Sequence, residues 1–241
     1  MHLNNYGNRH ELLIDWLLAS VPEGARILDI GANDGSFCPE VERIAAHAGY
    51  FAGVDPDHEK LSRHPLLHAR FPETLEHADI PEASFDCAYA IYVFEHVQQE
   101  RDFLEAASRL LKPGGSLFFI TPNGDHYFAR IAASLGRMGL QRKVLGLIRP
   151  KQLVAAYHYP AVYRLNRPKA LQALSREFHF DRCEFRYSEK LEEFAAYFPG
   201  PLKVFPWLWE RAVHVMGAER RLGNLMGRLV KSSEVGTPRD Q

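Results

Sequence analysis

Apolar runs of strand length alternate with stretches of helical spacing along the first half of this chain, and that rhythm restricts the fold more than any other feature. Ala25–Ile30, Tyr50–Val54, Phe85–Ile91 and Ser116–Thr121 are short and nearly continuous in apolar residues, with a weaker run over 66–71. Strands that read this way are covered on both faces. Leu12, Leu13, Trp16, Leu17 and Leu18 recur at helical spacing ahead of the first run, and that spacing returns over Ser36–Ala48, near 57–63 and over 99–111. Strands separated by helices of this length imply a parallel sheet with helices on both sides. After Pro122 the rhythm changes. A helix is expected over 126–138, an irregular, basic, tyrosine-rich stretch over 139–165, a helix over 167–178 and an alternating strand over Phe180–Tyr187. Residues 188–221 are apolar and aromatic and broken by Pro199, Pro201 and Pro206, and Leu222–Lys231 reads as a last strand. The expectation is an α/β, Rossmann-like doubly wound fold. Its mostly parallel, seven-stranded sheet carries a helical or irregular insert after the fifth strand.

Charge divides the chain where the rhythm changes. Residues 1–125 hold 9 basic and 20 acidic side chains, whereas residues 126–241 hold 20 basic and 10 acidic. The net charge of -1 therefore hides halves of about -11 and +10. Such asymmetry marks either an anionic partner for the basic half or two complementary halves packed on each other. With 46% hydrophobic and 24% charged residues the composition is that of a globular protein, which excludes wholesale disorder. No apolar run is long enough to span a bilayer. Met1–Asn5 shows no basic region followed by an apolar core, so no secretory signal is expected and the chain reads as cytoplasmic. Cys38, Cys87 and Cys183 are few and far apart, which suits reduced thiols and no metal site. A single domain over 1–241 is expected, with a cofactor-binding half (1–125), an acceptor-side half (126–231) and a flexible tail (232–241). The acceptor-side half would hold the insert (126–165) and an aromatic cap (188–221).

The chemistry-bearing motifs lie at the ends of the strands. Asp29-Ile30-Gly31-Ala32-Asn33-Asp34-Gly35 closes the first strand and opens a helix, so backbone can approach a ligand there and the helix start favours negative charge. Gly31 and Gly35 are four apart, which is the wrong spacing for a dinucleotide fingerprint and argues against a nicotinamide oxidoreductase. Asp55 follows the second strand, 24 positions past Gly31, where an acid can accept both hydroxyls of a ribose. The alternative for Asp55 is a helix cap.

With these motifs the chain resembles the class I S-adenosylmethionine-dependent methyltransferases, in the group that includes the ubiquinone and menaquinone biosynthesis methyltransferases. Asp29–Gly35 resembles the family's first motif and Asp55 its ribose-binding acid. Phe85–Ala90 with Phe94-Glu95-His96-Val97 resembles the fourth-strand motif. Leu110–Leu117 resembles the turn before the fifth strand and Thr121-Pro122-Asn123 that strand's end. The resemblance covers about residues 25–123 and continues weakly through His158, Tyr163, helix 167–178 and strand 180–187. It implies S-adenosyl-L-methionine as cofactor, S-adenosyl-L-homocysteine as product, and Asp29, Gly31, Asn33, Gly35, Asp55 and Glu95 as cofactor-binding residues. Asn33 replaces the family's middle glycine. The adenine-contacting stretch aligns as either Thr74–Glu76 or Phe71–Glu73.

A base for an acidic or hydroxyl acceptor would come from His96, His126 or His158, since histidine titrates in the right range. His158 lies in a tyrosine-rich insert that can fold over the site, and the resemblance favours it, because inserts after the fifth strand often form the acceptor pocket in that family. His64 and His68 are four apart, but Pro65 between them argues against a metal on a helix face. The resemblance and the basic second half point to a small-molecule acceptor, anionic or lipid-linked. Pro201–Val213 combines aromatic residues with Lys203 and Arg211 and reads as an apolar cap or as a peripheral membrane contact. No nucleic-acid module is recognisable. The alternative function is a non-catalytic cofactor-binding module or partner subunit of the same fold.

Overall fold

The computed structural model describes residues 8–130, 162–189 and 200–233. Its seven strands are β1 (Arg26–Ile30), β2 (Tyr50–Val54), β3 (Ala69–Phe71), β4 (Phe85–Ile91), β5 (Leu111–Pro122), β6 (Phe180–Ser188) and β7 (Asn224–Lys231). They form one sheet in the order β3-β2-β1-β4-β5-β7-β6. The first five strands are parallel, and β7 runs antiparallel to both β5 and β6. This is the expected doubly wound, mostly parallel sheet. The chain winds from β1 outward to β3 and then crosses back to β4 on the other side of β1. In open sheets that reversal leaves a crevice at the carboxyl ends of the two inner strands.

Side chains alternate across the strands and divide the core in two. Leu28, Ala88, Leu117 and Phe119 belong to one layer. Ile27, Cys87, Tyr89, Phe118 and Ile120 belong to the other. Helix α1 (Arg9–Leu18) covers the second layer, with Trp16 edge-on to Phe118 at 5.5 Å. In the first layer Phe94 stacks on Phe119 at 4.2 Å. Helices α2 (Val41–His47), α3 (His58–Ser62) and α4 (Glu100–Leu110) connect the parallel strands.

Three elements differ in extent from the sequence expectation. The helix expected from Ser36 begins at Val41, because the turns after β1 run on to Glu40 and Pro39 disfavours a helical Cys38. The helix expected over 167–178 is α5 (Pro168–Ser175) followed by a tighter turn, which His179 ends in a left-handed conformation, φ 64°. The proline-broken stretch 188–221 contains a twelve-residue helix, α6 (Val204–Val215). Pro206 lies in its first turn, where no intrahelical hydrogen bond is lost. Within the described residues no helix is long and apolar enough to cross a membrane.

Asn123, fully buried just past β5, ties the segment before β7 to the end of β5. Its amide donates to the carbonyls of Arg220 (2.9 Å) and Leu222 (2.8 Å), and its Oδ1 accepts the Asp125 N–H at 3.0 Å. Truncation strands these buried groups. Asn123→Ala is expected to cost about 2–3 kcal/mol in urea unfolding; an unchanged midpoint would remove Asn123 from this role.

Candidate active site

The carboxyl edge between β1 and β4 gathers most of the cofactor-side residues named from the sequence. Gly31 leaves β1 by donating its N–H to the Val54 carbonyl (2.8 Å). Asn33 then adopts a left-handed conformation, φ 49°. Asparagine tolerates that region better than other side chains with a Cβ, which explains how it stands where the family has glycine. Its N–H donates to Asp55 Oδ2 (2.9 Å) and its side-chain oxygen accepts the Asp34 N–H (2.8 Å). Gly35 also has positive φ, 77°, and a Cβ there would sit 2.7 Å from His64 Nε2. Conformation and close approach therefore both require glycine at 35.

Asp55 is 7% exposed and uses both oxygens on backbone, accepting Asn33 N–H and Asp57 N–H (2.8 Å). Burial raises its pKa even against these donors. Asp57 is the residue that caps α3, through the Lys60 N–H at 3.1 Å. Asp55 thus fixes the glycine loop, and oxygen lone pairs remain for a further donor.

Asp29 is as buried as Asp55, also 7% exposed. Tyr89, its register partner on β4, donates its hydroxyl to Asp29 Oδ2. Burial, with a further push from Asp55, raises the Asp29 carboxyl to about 7 despite that bond. Asp29, Gly31, Gly35, Phe37, Cys38 and Tyr89 line a cleft of about 290 Å³ counting its open mouth. His10, Phe37 and Tyr92 form an aromatic rim, with ring centres 5.6–6.1 Å apart.

Glu95, His96 and His126, the described candidates beyond β4, are not among the residues that line this cleft. Glu95 is buried, and its carboxylate accepts Thr121 Oγ1–H at 2.9 Å instead of lining the cleft. Burial raises its pKa to about 7. Asn166 donates to the same threonine oxygen (2.6 Å), and the Glu95 carbonyl accepts the Val162 N–H (2.7 Å). Glu95 therefore anchors the chain where it returns after the fifth-strand insert. His96 is half-buried on the turn after β4. His126 is 1% exposed, 3.8 Å from Glu189 Oε2, and burial lowers its pKa to about 4. His158 lies outside the described residues. Of the adenine-stretch candidates, Leu75 is a core residue. His64 Nδ1 and His68 Nδ1 accept backbone N–H groups of Leu66 and Phe51.

The sequence places Tyr92 at the strand edge and Phe37 at the end of the first motif, but it assigns no site role to them or to Tyr89 and Glu189. Tyr89 reaches Asp29 only through the β1–β4 register, and Tyr92 joins the cleft to β7 by donating to Asn224 Oδ1 (2.9 Å). Each contact spans too many positions for a local pattern to reveal.

A family model described as a methyltransferase domain matches residues 7–179. The chain belongs to that family. An uncharacterised methyltransferase of Mycobacterium tuberculosis H37Rv is 32% identical over 128 residues, covering 49% of this chain and 62% of that one. The mouse mitochondrial ubiquinone biosynthesis O-methyltransferase is 35% identical over 111 residues, covering 42% of this chain and 29% of the relative. The match thus spans less than two thirds of either relative. Among solved structures, a Haloferax volcanii putative methyltransferase bound to the Trm112 activator superposes with a TM-score of 0.63 at 16% identity. That match covers 95% of this chain and 92% of the other. A Haemonchus contortus phosphoethanolamine N-methyltransferase in complex with S-adenosyl-L-methionine gives 0.56 at 16% identity, over 95% and 54%. At these identities the structural likeness establishes the fold. The chain therefore carries a methyltransferase domain with the class I, Rossmann-like fold.

The cleft suits the cofactor's methionine end. Ionised Asp29, buried as it is, is stabilised by a positive neighbour, and we propose that the cofactor's ammonium group is that neighbour. The sign of the pH effect follows. The cation favours ionised Asp29, so affinity is full above about pH 7 and declines by up to about tenfold per pH unit below it. Calorimetry with S-adenosylhomocysteine between pH 5 and pH 8 should show this slope. Asp29→Asn should flatten it and weaken binding at pH 8 by at least tenfold; equal affinities would exclude the pairing.

Proposed function

We propose that the protein transfers a methyl group from S-adenosylmethionine to a small-molecule acceptor held beyond β4, on the β5–β7–β6 side of the crevice. The buried, cation-seeking Asp29 in the cleft carries this reading. Bound S-adenosylmethionine supplies the activated methyl carbon. In the proposal Asp29 holds the ammonium group, Gly31, Asn33 and Gly35 shape the loop around the methionine part, and Asp55 accepts from the ribose. The chain's remaining task is to orient the acceptor and exclude water.

A hydroxyl acceptor must also lose a proton. His126 is a poor receiver near neutral pH because burial holds it neutral down to about pH 4. His96, on the turn directly after β4, has the better location among the described candidates, and His158 remains a candidate on the insert. The relatives' names motivate testing phenols and amines. The test is transfer of labelled methyl from S-adenosylmethionine to a panel of both. Product should form with a member of one class, and His96→Ala should lower kcat about 10²–10⁴-fold for a phenol. Tight cofactor binding with no product from any acceptor would favour the non-catalytic module.

One surface favours a lipid-linked acceptor. Helix α6 buries only Pro206, Glu210 and Val213. Val204, Phe205, Trp207, Leu208 and Val215 are exposed. A helix apolar on most sides is normally buried, and a patch of this kind marks a contact surface. Exposed Lys203 and Arg211 flank it, whereas the helix's one acid points inward. An anionic membrane surface matches both features. Wild type should co-sediment with phosphatidylserine vesicles and bind neutral vesicles less. Trp207→Glu with Leu208→Glu should weaken binding at least tenfold; equal sedimentation would refute the contact.

A further inference from the structure

We propose that His10, Cys38 and Glu40 form a binding site for a borderline-soft divalent cation, with zinc the best match, at the rim of the cofactor cleft. One donor atom from each residue lies within 4.8 Å of the other two. The tightest approach is Cys38 Sγ to Glu40 Oε2, 3.4 Å. Zinc bonds of about 2.0–2.3 Å put tetrahedral ligand atoms about 3.3–3.8 Å apart, so the cluster needs to contract by about 1 Å. Cys38 is buried, and His10 and Glu40 are half-buried, so a small ion can enter from the solvent side.

Two further features point to a ligand. His10 Nε2 is buried and has no hydrogen-bond partner among the described residues. A buried, unsatisfied imidazole nitrogen calls for an explanation, and a bound ion provides one. Glu40 is also oriented from behind. Asn8 Nδ2 donates to Glu40 Oε1 at 2.6 Å, which leaves Oε2 facing the thiol. The same Asn8 caps α1 by accepting the His10 N–H at 3.1 Å. Partners of this kind orient the ligands around a metal.

The donor set selects the ion. One sulfur, one imidazole and one carboxylate suit zinc, whereas calcium and magnesium prefer all-oxygen shells. Three protein donors leave one coordination position for water. The ligands come from separate elements: His10 from the first turn of α1, Cys38 from the loop lining the cleft, and Glu40 from the residue preceding α2. A bound ion would therefore fasten α1 to the rim of the cofactor cleft. No local pattern reveals it, because His10 lies 28 positions before Cys38 and no ligand-spacing motif is formed. The proposal stands apart from the methyl-transfer reading, since metal binding is measured without cofactor or acceptor.

The test uses the full chain freed of metal with a chelator. Titration with Zn²⁺ against a chromophoric chelator should give one tight equivalent. Titration with Co²⁺ should give a thiolate-to-cobalt charge-transfer band and the visible bands of a tetrahedral ion. Cys38→Ser should abolish the charge-transfer band. His10→Ala and the isosteric Glu40→Gln should each weaken zinc binding at least tenfold, with Cys183→Ser unchanged. Saturating zinc should raise the wild-type Tm by about 5 °C and leave Glu40→Gln unmoved. Because Glu40→Gln preserves shape, it answers even if Cys38→Ser folds poorly. Zinc binding by Glu40→Gln equal to wild type, or a charge-transfer band that survives Cys38→Ser, would overturn the site.

Discussion

The hydrogen bond from Tyr89 to Asp29 joins the two strands at which the sheet reverses its winding. Ile30 ends β1, and from there the backbone must leave the sheet, turn through the glycine loop and reach α2. Ionising a carboxylate buried one residue before that exit is costly, and burial accordingly raises its pKa to about 7. Tyr89 offsets part of it from below, and Asp55 beyond the loop adds to it. Asp55 in turn holds Asn33 in its left-handed turn. The loop is therefore framed by two buried acids, and the charge of Asp55 adds to the cost of ionising Asp29.

The fold was more legible than the site. Four buried strands and their helices were written in local spacing, and so was the long strand pair that closes the chain. Element ends were less clear, because Pro39 and the turns after β1 delay α2, and because Pro206 reads as a break yet falls where a helix tolerates proline. Asp29, Gly31, Asn33, Gly35 and Asp55 were legible because the glycine loop is contiguous and Asp55 ends the next strand. Tyr89 and Tyr92 were not, since their partners lie 60 and 132 positions away and are set by strand register. Glu95 shows a further limit. Its motif marks the turn after β4, but the sequence does not show that its carboxylate turns to Thr121.

The opposed charges of the two halves have a physical resolution that is only partly ionic. Among the described residues, Arg164 meets Glu100 at 3.1 Å and Arg101 meets Glu177 at 2.6 Å, both across the halves and both exposed. Exposed pairs of this kind contribute little. The second half's cations are used more on rings and carbonyls. Arg186 lies 4.0 Å over Trp16 and Arg228 5.4 Å over Phe118, on the layer that α1 covers. Lys231 donates to the carbonyls of Ser108 and Leu111, where α4 runs into β5. These contacts use the cations' stems and faces for packing, and Arg228 is also paired with Glu184 at 3.9 Å. The acidic half hides part of its charge, at Asp29, Asp55 and Glu95, whereas the basic half keeps Lys203, Arg211, Arg220 and Arg221 in solvent. Packing thus accounts for how the halves adhere but not for the excess positive charge, which stays available on the side where the acceptor is proposed to arrive.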